Sequence, residues 1–204
     1  MKTINCIFLI VIFCLFSCNF SKKETKANSE EVENFINKNL DPDPGKPFFQ
    51  FDAIDYYNLK IEEHTASNLL NTQSTALDSI KYNLILDETS ENISDDHFLN
   101  NLDKVGYKKS EIDPSDFQNL TSLFSERSER DRLNFDCFPT FRNILVFKKD
   151  DKVIGVAKLD VNCNKYKIIG TTAHTETFGQ GKDYEILSLI FNKYIDKNYD
   201  TSIR

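Results

Sequence analysis

Residues 137–170 read CFPTFRNILVFKKDDKVIGVAKLDVNCNKYKIIG, the largest apolar block of the chain outside its first residues. Two β-rich runs flank the charged turn KKDDK, and a third covers Lys165 to Gly170, so the stretch predicts a three-stranded antiparallel meander over about 140–170. The register follows from the turn. If Lys148 pairs with Lys152 across Lys149-Asp150-Asp151, then Phe147 faces Val153, Leu145 faces Gly155, Phe141 faces Leu159 and Cys137 faces Cys163, all on one side. Strand side chains alternate with period two, so a two-residue Asp150-Asp151 turn shifts the pairing by one and separates the cysteines. The opposite side then carries Ile144, Val146, Ile154 and Val156, with Arg142, Lys158, Asp160 and Asn162 further out. Arg142 and Lys158 are expected opposite each other, with Asp160 diagonal to them.

Around this block the chain alternates with helical patterns, which predicts an α+β fold: an antiparallel sheet with helices packed on one face. Within 48–61, FFQFDAIDYYNLKI alternates as a strand whose best partner is the central hairpin. A short helix is expected over Glu63–Asn71, and Lys81–Leu86 reads as either a strand or a helix end. Ser94 caps a helix carrying Phe98, Leu99, Leu102 and Val105, stopped at Gly106. Asp113-Pro114 opens another with Phe117, Leu120, Leu123 and Phe124. The mixed charges of SERSERDR, 125–132, suit a solvated loop. A last helix, with Tyr184, Ile186, Leu187, Ile190, Phe191, Tyr194 and Ile195, is broad enough on its apolar side to cover the sheet.

The start of the chain is of another kind. Lys2, an apolar run from Ile4 to Phe16 and the small Ser17 before Cys18 form a secretory leader, 1–17; the run is too short for a hydrocarbon core of about 30 Å. Leu15-Phe16-Ser17-Cys18 resembles the lipobox of bacterial lipoproteins, with Phe16 larger than the usual residue at its place. That resemblance implies cleavage before Cys18, acylation of Cys18, and a lipid bilayer as partner, since each buried CH₂ contributes about 0.8 kcal/mol. Residues 18–47 then form a tether: Asn19–Glu31 is polar, a short helix capped by Ser29 is expected over Glu30–Leu40, and Asp41-Pro42-Asp43-Pro44 stops it. One domain occupies 48–204.

With Cys6 and Cys14 in the leader and Cys18 lipidated, Cys137 and Cys163 remain. Export and register together predict a disulfide between them; two buried thiols, or a metal site completed by His174, are the alternatives. No CxxC or HxxxH spacing supports a metal, and no cofactor is implied. The full chain carries 25 basic against 32 acidic side chains, net −7, and loss of Lys2 makes the mature chain one unit more acidic. Such a charge argues against nucleic acid and suits either simple solubility or a basic partner.

Candidate chemistry is sparse. His64 and His97 sit beside Glu62-Glu63 and Asp95-Asp96, where first-turn carboxylates suit helix N-termini as well as a site. His174 lies in a loop with Glu176 and Gln180, and loops carry function more often than cores do. Gly179-Gln180-Gly181 before a helix could offer amides to an anion, or simply make a turn. Asp78-Ser79-Ile80 resembles a short O-glycosylation sequon of Bacteroidota envelope proteins.

The runs Asp136–Pro139, Phe141–Lys148, Val153–Lys158, Cys163 and Thr175–Gln180 are similar to a block in small Bacteroidota lipoproteins of unassigned role. The resemblance covers the last third of the chain, brings no activity with it, and implies that the cysteine pair and the Phe-Gly-Gln turn belong to one local structure. The expectation is a lipid-anchored envelope protein, on the outer rather than the inner membrane, that acts by binding, one version being an immunity protein. The alternative is an envelope hydrolase or ligand-binding enzyme using His174, Glu176 and Gln180.

Overall fold

A computed structural model describes residues 20–69, 71, 75–86, 93, 96–129 and 136–195, without the side chains of 20–28, 96 and 97. The leader 1–17, Cys18, Ser94 and the side chain of His97 lie outside the described residues. Among the described residues no helix is long and apolar enough to cross a membrane.

The chain divides into two compact units, Met1–Asn39 and Leu40–Arg204. In the first, helix α1 spans Phe20–Asn39. It begins ahead of Ser29, which is therefore an interior residue and not the cap that was expected. It closes with the side-chain amide of Asn39 donating to the Phe35 carbonyl at 2.8 Å.

The second unit holds five strands in the order β2-β1-β3-β4-β5, all antiparallel. These are β1 (Ala53–Asn58), β2 (Lys108–Glu111), β3 (Asn143–Lys149), β4 (Lys152–Asp160) and β5 (Lys165–Ile169). The α+β class and the central meander are as the sequence predicts, and β1 adds to the hairpin by pairing with β3. The strand that periodicity missed is β2, whose sequence KKSE has no apolar residue. It closes one edge of the sheet, where charged side chains discourage pairing with another chain.

The β3–β4 register corrects the expected one, and the cysteines meet beyond its end. Lys149, not Lys148, pairs with Lys152, so the turn is the two residues Asp150 and Asp151, with φ of 49° and 60°. Positive φ at both central residues is what a tight hairpin turn requires, and Asp tolerates it better than most side chains. The register then shifts between Phe147 and Lys148: Lys148 faces Val153, but Phe147 faces Gly155. Ile154 is the extra residue of a β-bulge. Two slips of one residue restore the original parity, so Phe147, Leu145, Gly155 and Leu159 share a face as expected. Val153 moves to the other face, beside Ile144, Val146 and Val156.

Three further expectations fall with the register. Leu145 faces Ala157 in place of Gly155, Leu159 faces Asn143 in place of Phe141, and Lys158 faces Ile144 in place of Arg142. Lys158 is fully buried, its ammonium donating to the Asn83 carbonyl at 2.8 Å and lying 5.0 Å from the centre of the Phe141 ring. A carbonyl partner and an aromatic face make that burial tolerable.

Helices cover both faces of the sheet, more than the single face expected. On one side α2 (Glu63–Asn68), α3 (Ala76–Ile85) and α4 (Asp96–Val105) form a cluster with Tyr57, Ile144, Val146 and Val156 that includes Ala66, Leu84, Ile85, Phe98 and Leu102. Lys81–Ile85 is thus a helix end, opened upstream by a Thr75–Asp78 capping box. On the other side lie α5 (Phe117–Leu123) and α6 (Asp183–Ile195). Phe191 stacks on Tyr56 at 4.6 Å, and a run of rings connects Phe117, Phe51, Phe147, Phe124, Phe178 and Tyr166 at successive centroid distances of 5.2, 5.4, 5.1, 4.7 and 4.9 Å. Phe49 lies flat on Phe147, 4.5 Å away, directly over Gly155.

Candidate functional site

Two places carry the residues that the sequence singled out. The first is the loop from His174 to Gly181. Its short 3-10 turn, Thr175–Thr177, ends at Phe178, which is buried between Phe124 and Tyr166. Tyr166 also donates its hydroxyl proton to the Thr175 carbonyl at 3.0 Å. Buried charge fixes the far end of the loop. The guanidinium of Arg127 makes a two-point contact with the Asp183 carboxylate, both side chains being 3% exposed, and the bond from Nη1 to Oδ1 is 2.9 Å. Asp183 Oδ2 accepts the backbone N–H groups of Gly179 and Gln180 at 3.0 and 3.1 Å. The amides that could have received an anion are therefore filled by the chain's own carboxylate, at the N-terminus of α6.

This arrangement separates the three loop candidates. Gln180 is buried and donates its side-chain N–H to the Ser128 carbonyl at 2.9 Å. His174 is exposed, and its backbone N–H donates to Glu126 Oε1 at 3.0 Å. Glu176 is exposed as well. Gln180 joins the loop to the 125–129 segment, whereas His174 and Glu176 are displayed outward. The segment expected to be solvated is in part core, since Ser125 and the Arg127 side chain are buried. Charge pattern concealed this. SERSERDR offers no sign of which arginine finds a buried partner, and Asp183 reads as an ordinary first-turn acid.

The second place is the corner where the chain enters β3 and leaves β4. Cys137 and Cys163 form a disulfide across 26 residues of sequence. Asp160, buried at the end of β4, organises the backbone around it: Oδ2 accepts the Thr140 N–H at 2.7 Å, and Oδ1 accepts those of Asn162 and Cys163 at 3.1 and 3.3 Å. Between the disulfide and the buried Pro139 stands Phe138, 56% exposed, one of two large apolar side chains left exposed among the described residues. The other, Leu77, is on α3. Asp136, two residues before Phe138 in sequence, is also exposed.

The remaining candidates stand apart from both places. His64, exposed on α2, has Nε2 3.2 Å from the Thr65 hydroxyl. Ser79 of the sequon-like triplet lies in the first turn of α3, half-buried, and Asp78 serves the capping box there. Among the described residues no group of three or more His, Cys, Asp or Glu is placed to hold a metal ion. Comparison with protein families, with curated proteins and with solved structures finds no match for the chain.

Proposed function

We propose that this chain is an exported protein of the bacterial envelope, held on a membrane by acylated Cys18, that works by binding another protein through the corner around Phe138. The observation that carries the reading is the Cys137–Cys163 disulfide. Such bonds persist in oxidising compartments and are rare where thiols are kept reduced, so the bond supports export independently of the leader and lipobox. The same bond lies next to Phe138, and aromatic side chains are the commonest anchors of protein interfaces. With exposed Asp136 two residues away in sequence and a net charge of −7, the surface fits an apolar recess rimmed by basic side chains. Neutralisation of a basic toxin in the envelope is one activity of this kind, and the outer membrane is the favoured location.

The experiment uses the full chain in cells, with a photoreactive phenylalanine analogue at position 138. Irradiation is expected to join it to one envelope protein, and the Cys18→Ala variant is expected to leave the membrane fraction. A Cys18→Ala chain that stays with the membranes removes the lipid anchor. A probe at 138 that captures nothing, while one elsewhere on the surface captures a partner, removes Phe138 as the contact.

A further inference from the structure

We infer that the Cys137–Cys163 bond is a local clamp on Phe138, not a staple of the whole fold, so that reduction loosens this corner while the sheet stays assembled. For its use this rests on the binding reading above; its test does not. Phe138 is held from both sides. On its C-terminal side Pro139 and Thr140 are buried, and Thr140 is fixed by its bond to Asp160. Immediately beyond, the Phe141 N–H donates to the Ile85 carbonyl at 2.7 Å, and the Phe141 carbonyl accepts the Tyr107 hydroxyl at 2.6 Å. The Arg142 side chain donates to the Ile61 carbonyl at 3.1 Å. None of these bonds passes through sulfur. Cys163 likewise keeps its backbone bond to Asp160 whatever its oxidation state. Among the described residues the covalent tie on the N-terminal side of Phe138 is the disulfide, and the Cys163 sulfur also lies 3.7 Å from the Phe138 carbonyl. Breaking the disulfide leaves Cys137 and Phe138 with only weak sulfur–carbonyl contacts of 3.7–3.8 Å among the described residues, while the bonds from Thr140 onward stay in place.

Both cysteines are half-buried, so a thiolate can approach. The reductant required is a dithiol. One of its thiolates attacks a sulfur of the pair to give a mixed disulfide, its second thiol displaces the remaining protein sulfur, and the reductant leaves as a disulfide. Two electrons and two protons end on Cys137 and Cys163 as thiols. A partner that needs the ring in place must then re-order the freed residues, which weakens binding by about tenfold for each. Affinity thereby follows the redox state of the compartment.

Backbone ¹⁵N relaxation on the full-length chain, oxidised and then reduced with dithiothreitol, reads this directly. Order parameters of Cys137 and Phe138 are expected to fall from about 0.85 to below about 0.6. Those of Tyr56, Val146, Phe147 and Phe191 should not change, and C137S/C163S should reproduce the reduced pattern. Loss of order across β3 and β4, or a double variant that fails to fold, overturns the inference by making the bond a staple of the fold. Unchanged order at 137 and 138 overturns it in the other direction.

Discussion

The substitution Gly155→Ala isolates one packing contact. An added Cβ would lie 2.0 Å from Cε1 of Phe49 and 2.5 Å from two more atoms of the same ring. Nothing yields cheaply. Phe49 is 5% exposed and stacked on Phe147, which is itself fully buried. The ring must therefore leave its seat. Forcing one methyl into a filled core costs about 1–3 kcal/mol, and losing the stacked geometry adds about 0.5–1.5 kcal/mol. Replacing glycine by alanine offsets about 0.4–1 kcal/mol of this, because the unfolded chain loses freedom. The net expectation is a loss of about 2 kcal/mol, or roughly 4–8 °C in Tm for a domain of this size. The assay is urea unfolding followed by far-ultraviolet circular dichroism, for Gly155→Ala, Phe49→Ala and the double variant. With the ring removed, the same glycine substitution should be neutral or slightly stabilising, a coupling of about 2 kcal/mol. An equal cost of Gly155→Ala in both backgrounds would refute the assignment of the contact.

Arg127→Met strands the Asp183 carboxylate in the core and should cost about 3–5 kcal/mol in urea titration. Adding Asp183→Ala should cost far less than the sum of the two single losses, and strict additivity would mean that the two charges do not depend on one another. The alkaline limit of stability should come from two phenols. Burial first, then the Asp55 and Asp103 carboxylates, push Tyr57 up to about 12, and burial first, then its hydrogen bond to Asp116, raises Tyr194. Unfolded tyrosines ionise near pH 10. The contribution of these two groups is thus fully present below about pH 10 and falls as pH rises towards 12. Urea midpoints across that window should decline, less steeply in Tyr57→Phe, and a flat profile contradicts the reasoning.

How far the sequence reveals this molecule depends on what each residue does with its side chain. The central hairpin, the stripes of α4, α5 and α6, and the cysteine pair were legible because apolar periodicity and compartment chemistry act locally. Strand β2 was not, since Lys108, Lys109, Ser110 and Glu111 bury little and join the sheet through backbone bonds that any sequence can make. The second layer of helices lay hidden for a related reason: which face a stripe covers depends on where its helix lands. Lys158, Arg127 and Gln180 were misplaced in the other direction. Each is polar by type, yet each is buried on a specific acceptor, Asn83, Asp183 and Ser128 respectively, which no spacing rule links to it. Of the loop candidates, position alone could separate the inward Gln180 from the outward His174.

The two slips in the β3–β4 hairpin leave it closed at both ends. One residue is lost from the expected turn at Asp150-Asp151 and one is gained at Ile154, so Leu145 and Phe147 keep the face expected of them. The ladder ends at Asn143 and Leu159, and the disulfide joins the two chain segments just beyond it. The hairpin is therefore a loop latched by the Asp150-Asp151 turn at one end and by sulfur at the other, and a strand inside it can slip only by redistributing residues within a ring of fixed length.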